Sequence, residues 1–390
     1  MKKNGNKAGI ILGILLMSLI ITCNTAFSPI LSEIGKSFPN ASDSSVQIVL
    51  TIISLSTFPM MLVEPFFERF LTKRDVAILG TFLMLIGGIL PHFFHSQLWM
   101  LYLVSVVIGC GLSLVVVTSS SLIADYFTGL EKSKIMGYQA IFASLGGAIV
   151  AKGSGILTTH FGWQNGYLIL LITVPILLVM FTCIPKGGIP KTESNSGGFY
   201  MSGKLIYFGF LCLLAGIFIS TFNTNIAMYL DRNGIGSEQT AGTVSAIMQI
   251  AGILSGLIFG FMVKTFKRFT LGIAVLLSAV GTIIVGLSTN LIVVCIGALF
   301  MGIGFAMRNA GGVSFAANMV NAVQASSAIA VVSASFNLGS FISAYVINPL
   351  AGLFGSDIRL RFIISGIALL LIGLLTCIRS PITDKQAIDA

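Results

Sequence analysis

The sequence is poor in charge. Asp, Glu, Lys and Arg make up 9% of its 390 residues, against about 25% in an ordinary soluble domain. With 55% hydrophobic residues, this excludes a soluble globular protein and points to a chain that crosses a membrane many times. Histidine is scarcer still: His92, His95 and His160 are the only three, each beside the end of an apolar run and none in an HExxH pattern. No nucleophile–His–acid set forms and the polar loops are short, so the chain does not read as an enzyme. The six cysteines, Cys23, Cys110, Cys183, Cys212, Cys295 and Cys377, all fall inside apolar runs without CxxC spacing. They read as small apolar fillers, not as disulfides or metal ligands, and no cofactor is implied. Carboxylates are also missing from the middle of every run. Glu33 lies near the end of the first, and Glu64 and Asp125 near the opposite ends of others.

What is present is a series of apolar runs long enough to span a bilayer. Twelve are expected, near 8–32, 44–67, 75–94, 98–123, 133–158, 164–184, 205–229, 239–263, 269–287, 291–317, 324–353 and 359–378. The first follows Lys2, Lys3 and Lys7 and resembles a secretory signal. Thr22 before Cys23 and the lack of an Ala-x-Ala pattern favour a retained membrane helix. A Gly- and Ser-rich polar stretch, "KGGIPKTESNSGGFYMSGK" (Lys186 to Lys204), reads as a flexible linker. The expected organisation is a six-helix bundle over 1–184, a linker over 185–204 and a second six-helix bundle over 205–390.

The cations are unevenly placed. Lys36, Arg232, Arg359 and Arg361 fall on one side, Lys152 and Arg308 inside spans, and the other sixteen of the 22 on the side of the termini and linker. By the excess of Lys and Arg in cytoplasmic loops, both termini and the linker are expected in the cytoplasm, with the chain multi-pass in the cytoplasmic (plasma) membrane. The net charge of +9 is then a topology signal, and nucleic acid is not expected as a partner.

The halves echo one another. "TCNTAF" (Thr22 to Phe27) matches "TFNTNI" (Thr221 to Ile226), "GCG" (Gly109 to Gly111) matches "GIG" (Gly302 to Gly304), and "ERFLTKR" (Glu68 to Arg74) has a weaker partner in "KTFKRF" (Lys264 to Phe269). Internal repetition of this kind is typical of secondary transporters. With the stretch "ADYFTGLEKSKIMGYQAIFASLGG" and its continuation "FGWQNGYLI", it makes the chain resemble the major facilitator superfamily. The resemblance implies an all-α membrane fold of two pseudo-symmetric six-helix bundles. It also implies a gating loop after span 2, where "EPFFERFLTKR" keeps an acid at Glu68 and bases at Arg69, Lys73 and Arg74 but replaces the family's glycines with Glu64 and Leu71. Two further departures weaken a drug-exporter reading. Ser105 stands where exporters of the family carry an Arg in span 4, and "VAKGSG" replaces their span 5 Gly-Pro motif.

Inside that altered motif stands Lys152, about 18 residues into span 5 and so about 27 Å along it. Arg308 follows about 17 residues of span 10, near the midplane. A charge at such depth costs about 2.5–3.5 kcal/mol on insertion scales and ordinarily meets a partner or a water-filled cavity. With no acid at mid-depth, Arg308 is expected to face water. A cation from each bundle suits an anionic solute, the guanidinium gripping it in bidentate fashion. Polar residues that would complete the site are Asn24 and Thr25 (span 1), Gln139 (span 5), Asn223 and Asn225 (span 7), Gln249 (span 8), Asn309 (span 10) and Asn337 (span 11). Gly252, Gly256 and Gly260 are expected to let span 8 approach a neighbour closely. The expected function is secondary transport of a small solute, an organic anion, by a monomer working through alternating access. The alternative is a proton-coupled multidrug efflux antiporter, which lacks the cavity acid it needs.

Overall fold

The computed structural model describes residues 7–67, 70–127, 129–185, 202–320 and 325–384. The described residues that form regular elements are helical throughout. The helices are α1 (Lys7–Ser18), α2 (Leu31–Ser37), α3 (Asp43–Phe67), α4 (Lys73–Ile89), α5 (Leu98–Tyr126), α6 (Gly129–Phe161), α7 (Trp163–Gly166), α8 (Thr173–Cys183), α9 (Gly203–Arg232), α10 (Glu238–Phe266), α11 (Thr270–Leu287), α12 (Leu291–Asn318), α13 (Ala325–Gly352) and α14 (Arg359–Ile378). A backbone in hydrocarbon must satisfy its own polar groups, so apolar runs of this length close into helices. Several starts are capped as their residue types require. Thr72 accepts from the Asp75 N–H at 3.3 Å, Ser202 from Leu205 at 3.2 Å and Asn290 from Ile292 at 2.8 Å.

Two spans are not single helices. Span 1 is α1, a stretch that closes into a 3-10 turn over Cys23–Phe27, and then α2; span 6 is α7, a 3-10 segment over Tyr167–Ile172, and α8. Spans 8 and 9, α10 and α11, are joined by only a three-residue 3-10 turn, Lys267–Phe269, with Lys267 at φ 48°. The linker residues 186–201 lie outside the described residues.

The chain divides into two compact units. The first comprises residues 1–190 with Ser237–Ala246, and the second 191–236 with 247–390. The division departs from a plain halving of the chain at one place: the first turns of α10 pack with the first unit, because small residues of α6 and α10 meet backbone to backbone. A Cβ at Gly155 would lie 2.5 Å from the Glu238 carbonyl, and one at Gly242 2.5 Å from that of Ala151.

In the first unit α4 packs on α5 and α8, α3 on α5, and α6 on the broken span 1. In the second, α9 packs on α13, and α11 lies between α12 and α14. The core of the second unit includes Leu205, Phe208, Cys212, Leu271, Phe315 and Val332. The expected close approach at Gly256 and Gly260 does not occur, since both face open space. All six cysteines are unpaired.

Candidate functional site

Arg308 is carried by α12 into the interior of the second unit. It is 4% exposed, so the expectation that it faces water is not met. Two rings cover it: its guanidinium carbon lies 3.7 Å from the centroid of Phe336 on α13 and 5.9 Å from that of Phe305. A cation stacked on an aromatic face is attracted to the ring's negative quadrupole, more strongly where water is excluded. One guanidinium nitrogen donates to the side-chain oxygen of Asn309. Nε has no hydrogen-bond partner, and no carboxylate forms an ion pair with Arg308 among the described residues. Beside the guanidinium is a cavity of about 20 Å³ bordered by Cys212, Ala215, Leu271, Val275 and Thr376. That cavity has room for about one water molecule.

Lys152 belongs to the first unit. Its ammonium donates to the hydroxyl of Thr243, in the part of α10 that packs with that unit. It too has no carboxylate partner among the described residues.

The expected polar residues fall into two groups. Some are occupied locally. Asn225, 1% exposed, donates to the Thr221 carbonyl at 3.1 Å and to Thr224 Oγ1 at 2.9 Å, while its oxygen accepts from Arg361 at 2.9 Å. Gln139 donates to Ser119 Oγ at 2.8 Å. Thr25 donates to the carbonyls of Thr22 and of Gly147 on α6, at 2.9 and 3.1 Å. The second group, Asn24, Asn223 and Asn337, is half-buried, and Gln249 is buried. Asn24 lies on the 3-10 turn of span 1. Of these, Asn223, Gln249, Asn309, Asn337 and Arg308 share the second unit, while Asn24, Thr25, Gln139 and Lys152 share the first.

Of the loop after span 2, Glu68 and Arg69 lie outside the described residues. Lys73 is 8% exposed, and its ammonium donates to Ser121 Oγ at 2.5 Å and pairs with Asp125 near the end of α5. Arg74 donates to the Phe181 carbonyl at 2.7 Å and stacks on that ring at 5.4 Å. The two bases thus tie the start of α4 to the ends of α5 and α8.

One cluster was not singled out from the sequence. Glu238, at the start of α10 and 7% exposed, sits 3.6 Å from the Lys36 ammonium, which also holds Glu33 at 2.8 Å. Glu238 is remote from the other two in the chain, so the three carry no spacing signal, and only the docking of α10 on the first unit joins them.

The fold has solved counterparts. The chain is similar to the crystal structure of the nucleoside transporter NupG, at TM-score 0.76 and 13% identity, over 95% of this chain and 99% of that one. It is similar to the POT family transporter PepTSo at TM-score 0.75 and 10% identity, over 95% and 97%. An auto-inhibited POT family peptide transporter matches at TM-score 0.75 and 11% identity, over 96% and 98%. At such identities the likeness concerns the fold. Comparison with curated protein sequences finds no match. The model of the Major Facilitator Superfamily matches residues 10–200 and 206–388, nearly the whole sequence, and the chain belongs to that superfamily.

Proposed function

We propose that this protein is a secondary transporter, not an enzyme, that carries a small organic anion across the cytoplasmic membrane by alternating access. Arg308 is the principal anion-binding group in this reading. The observation that carries it is a guanidinium buried at mid-span with an amide and two aromatic rings around it and no carboxylate among the described residues. Burying a cation without a counter-ion is expensive. A transported anion that supplies the missing charge explains why the sequence retains it. Access requires the Phe336 ring to leave the guanidinium face, which fits a site covered in one conformation and open in another. Lys152, bonded to a neutral hydroxyl, is a second and lesser positive charge. Asn309 orients the guanidinium, Asn24 and Asn223 are polar groups that recur in both halves, and Asn225 is a further one on span 7. Lys73 and Arg74, with Glu68 and Arg69, form a gating cluster at the linker side, which the excess of cations there assigns to the cytoplasm.

The test is binding of a panel of organic anions and cationic drugs to the purified protein by thermal shift, since a ligand of the folded state raises apparent stability. The best anion is then bound to Arg308→Ala and Arg308→Lys. Losing one charge-assisted contact costs about 1.5–3 kcal/mol, or about ten- to a hundredfold in affinity. Lys rescues only in part because it lacks the planar fork. Parental affinity in a folded Arg308→Ala protein overturns the anion reading.

A further inference from the structure

We propose that the linker-side end of the second unit is a binding site for the headgroups of anionic phospholipids, built on the turn between α10 and α11. The inference is independent of the anion site at Arg308.

Three observations carry it. The first is unpaired charge. Lys264, Lys267 and Arg268 fall within five residues and are exposed. Two hydrogen bonds draw further cations to them. Ser380 donates to the Arg268 carbonyl at 3.2 Å and so brings Arg379, at the end of α14, to the turn. Tyr207 donates to the Arg379 carbonyl at 3.1 Å, and Lys204 stands one turn before Tyr207 on α9. Lys204 and Arg379 are exposed as well. Arg268 has a carboxylate, Asp384, at 3.8 Å, but the other four cations form no ion pair among the described residues. The first unit uses its linker-side cations differently. There Lys7 pairs with Glu131, Lys73 pairs with Asp125, and Arg74 donates to the Phe181 carbonyl.

The second is a turn held against the preference of its own residue. Among the described residues Lys267 alone, glycines apart, has a positive φ, 48°. Glycine adopts that conformation without steric cost, and lysine does not. Local bonds hold it there. The buried Thr270 shares its hydroxyl proton between the carbonyls of Lys267 and Met262, at 2.8 and 3.2 Å. A cation is thus kept where glycine fits better, although Lys264 and Arg268 already suffice to mark the side of the membrane. The third is what borders the charges. Ile206 follows Lys204, Phe266 and Phe269 flank Lys267 and Arg268, and Ile378, 85% exposed, adjoins Arg379; all four apolar side chains are exposed. Cations edged by exposed apolar surface match a ligand that joins a phosphate to acyl chains, in preference to a free phosphate or an acidic protein.

The experiment titrates phosphatidylglycerol, or phosphatidylcholine with the same acyl chains, into the full chain in neutral detergent micelles and follows the melting temperature. Phosphatidylglycerol raises it at the lower mole fraction, and the difference between the lipids shrinks at about 1 M salt, where the Debye length is about 3 Å. Lys264→Gln and Lys267→Gly each raise the half-maximal phosphatidylglycerol concentration about fivefold, and the two combined with Arg268→Gln raise it about a hundredfold. Lys267→Gly also relieves the positive φ, so without lipid it melts at or above the parental temperature, which separates lost binding from lost folding. Lys134→Gln removes an exposed linker-side cation of the first unit and leaves the half-maximal concentration unchanged. Equal responses to the two lipids, a parental response in the triple variant, or an equal loss in Lys134→Gln overturns the site. A melt raised as far by glycerol 3-phosphate assigns the turn to a soluble phosphate and overturns the lipid.

Discussion

The same short sequence, repeated in the two halves, takes two backbones. "TFNTNI" lies within α9, a continuous 30-residue helix. "TCNTAF" lies where span 1 gives up the α-helix and closes 3-10 bonds from Leu19 to Ile30. Where the side chains send their hydrogen bonds separates the two. In the second unit Thr224 and Asn225 donate back to Ser220 and Thr221 of their own helix, at 3.0 and 3.1 Å. In the first, Thr22 and Thr25 donate across to Ala143 and Gly147 of α6, at 2.6 and 3.1 Å, and Ser154 of α6 returns a bond to the Ala26 carbonyl at 2.6 Å. Span 1 is stitched to α6 through backbone carbonyls at the break itself, while in unbroken α9 the repeated residues reach other helices side chain to side chain, Thr221 to Ser365 at 2.8 Å and Asn225 to Arg361 at 2.9 Å. A 3-10 stretch inside a long helix marks a hinge, so the comparison assigns bending to the first half and stiffness to the second.

The comparison is tested hardest at the helix crossings, where the largest effect is expected. A Cβ at Gly146 would lie 1.8 Å from the Leu19 carbonyl oxygen, and one at Gly339, its counterpart in the second unit, 2.1 Å from that of Leu213. Both obstacles are backbone and cannot swing aside. Gly146→Ala and Gly339→Ala should each lose at least about 3 kcal/mol, the upper end of overpacking penalties, read as the loss of a cooperative melt in detergent. If Gly339→Ala melts well above Gly146→Ala, the second unit is the one that yields to the methyl, and rigidity will have been misplaced between the halves.

The second difference is charge. Counting from the matched "GCG" and "GIG", Arg308 of α12 corresponds to Val115 of α5, which is fully buried. The first unit shows the apolar choice at this position, and the second departs from it. Replacing a buried ion with an apolar side chain of similar volume is often neutral or stabilising. Arg308→Met should therefore melt at or above the parental temperature while uptake in proteoliposomes is abolished. A Met variant that unfolds would show that the guanidinium holds the bundle together instead of serving the solute.

These contrasts also show how far the sequence could be read. The spans and the superfamily follow from runs of about twenty apolar residues and from motifs at matched offsets, which are local in the chain. The 3-10 break in span 1 is not local. "TCNTAF" and "TFNTNI" differ little, and the break depends on what α6 presents to Thr22 and Thr25. Arg308 could be found, because a charge in an apolar run is conspicuous. Its burial could not, since Phe336 reaches it from another helix. Glu238 looked like an ordinary residue at a helix start, and only the docking of α10 beside Glu33 and Lys36 gives it an unusual setting.

A smaller effect separates the two linker-side loops. The Lys73 and Asp125 side chains are 9% and 22% exposed, whereas in the second unit Arg268 and Asp384 lie 3.8 Å apart with about half of each exposed. Removing one partner of a largely buried pair strands the other, so Lys73→Ala should cost about 3 kcal/mol. A solvated pair contributes little, and Arg268→Ala should change stability by less than about 1 kcal/mol. Equal melting shifts for the two variants would mean that Ser121 suffices to hold the end of α5, and that the loop's asymmetry has no energetic content.

The smallest effect returns to the repeated sequence. Thr25→Ala removes a bond that crosses to Gly147, and the carbonyl it leaves belongs to a helix held at 3.1 Å range by that hydroxyl. Thr224→Ala removes one within α9 and the acceptor of one Asn225 bond, while Asn225 keeps its bond to the Thr221 carbonyl and the helix its backbone bonds. A buried hydrogen bond contributes about 1 kcal/mol net, so Thr25→Ala should lower stability by about that amount. Thr224→Ala should be close to neutral, because Ala has the higher helix propensity and offsets the loss. The two belong in one series with Ser154→Ala, which cuts the third stitch between α6 and the turn at Ala26. If the stitches act together, Thr25→Ala combined with Ser154→Ala should lose more than the two separate changes added, the sign of coupling between neighbouring groups. Simple additivity would mean that each bond serves its own carbonyl and that the 3-10 form of span 1 is maintained by packing against α6 alone.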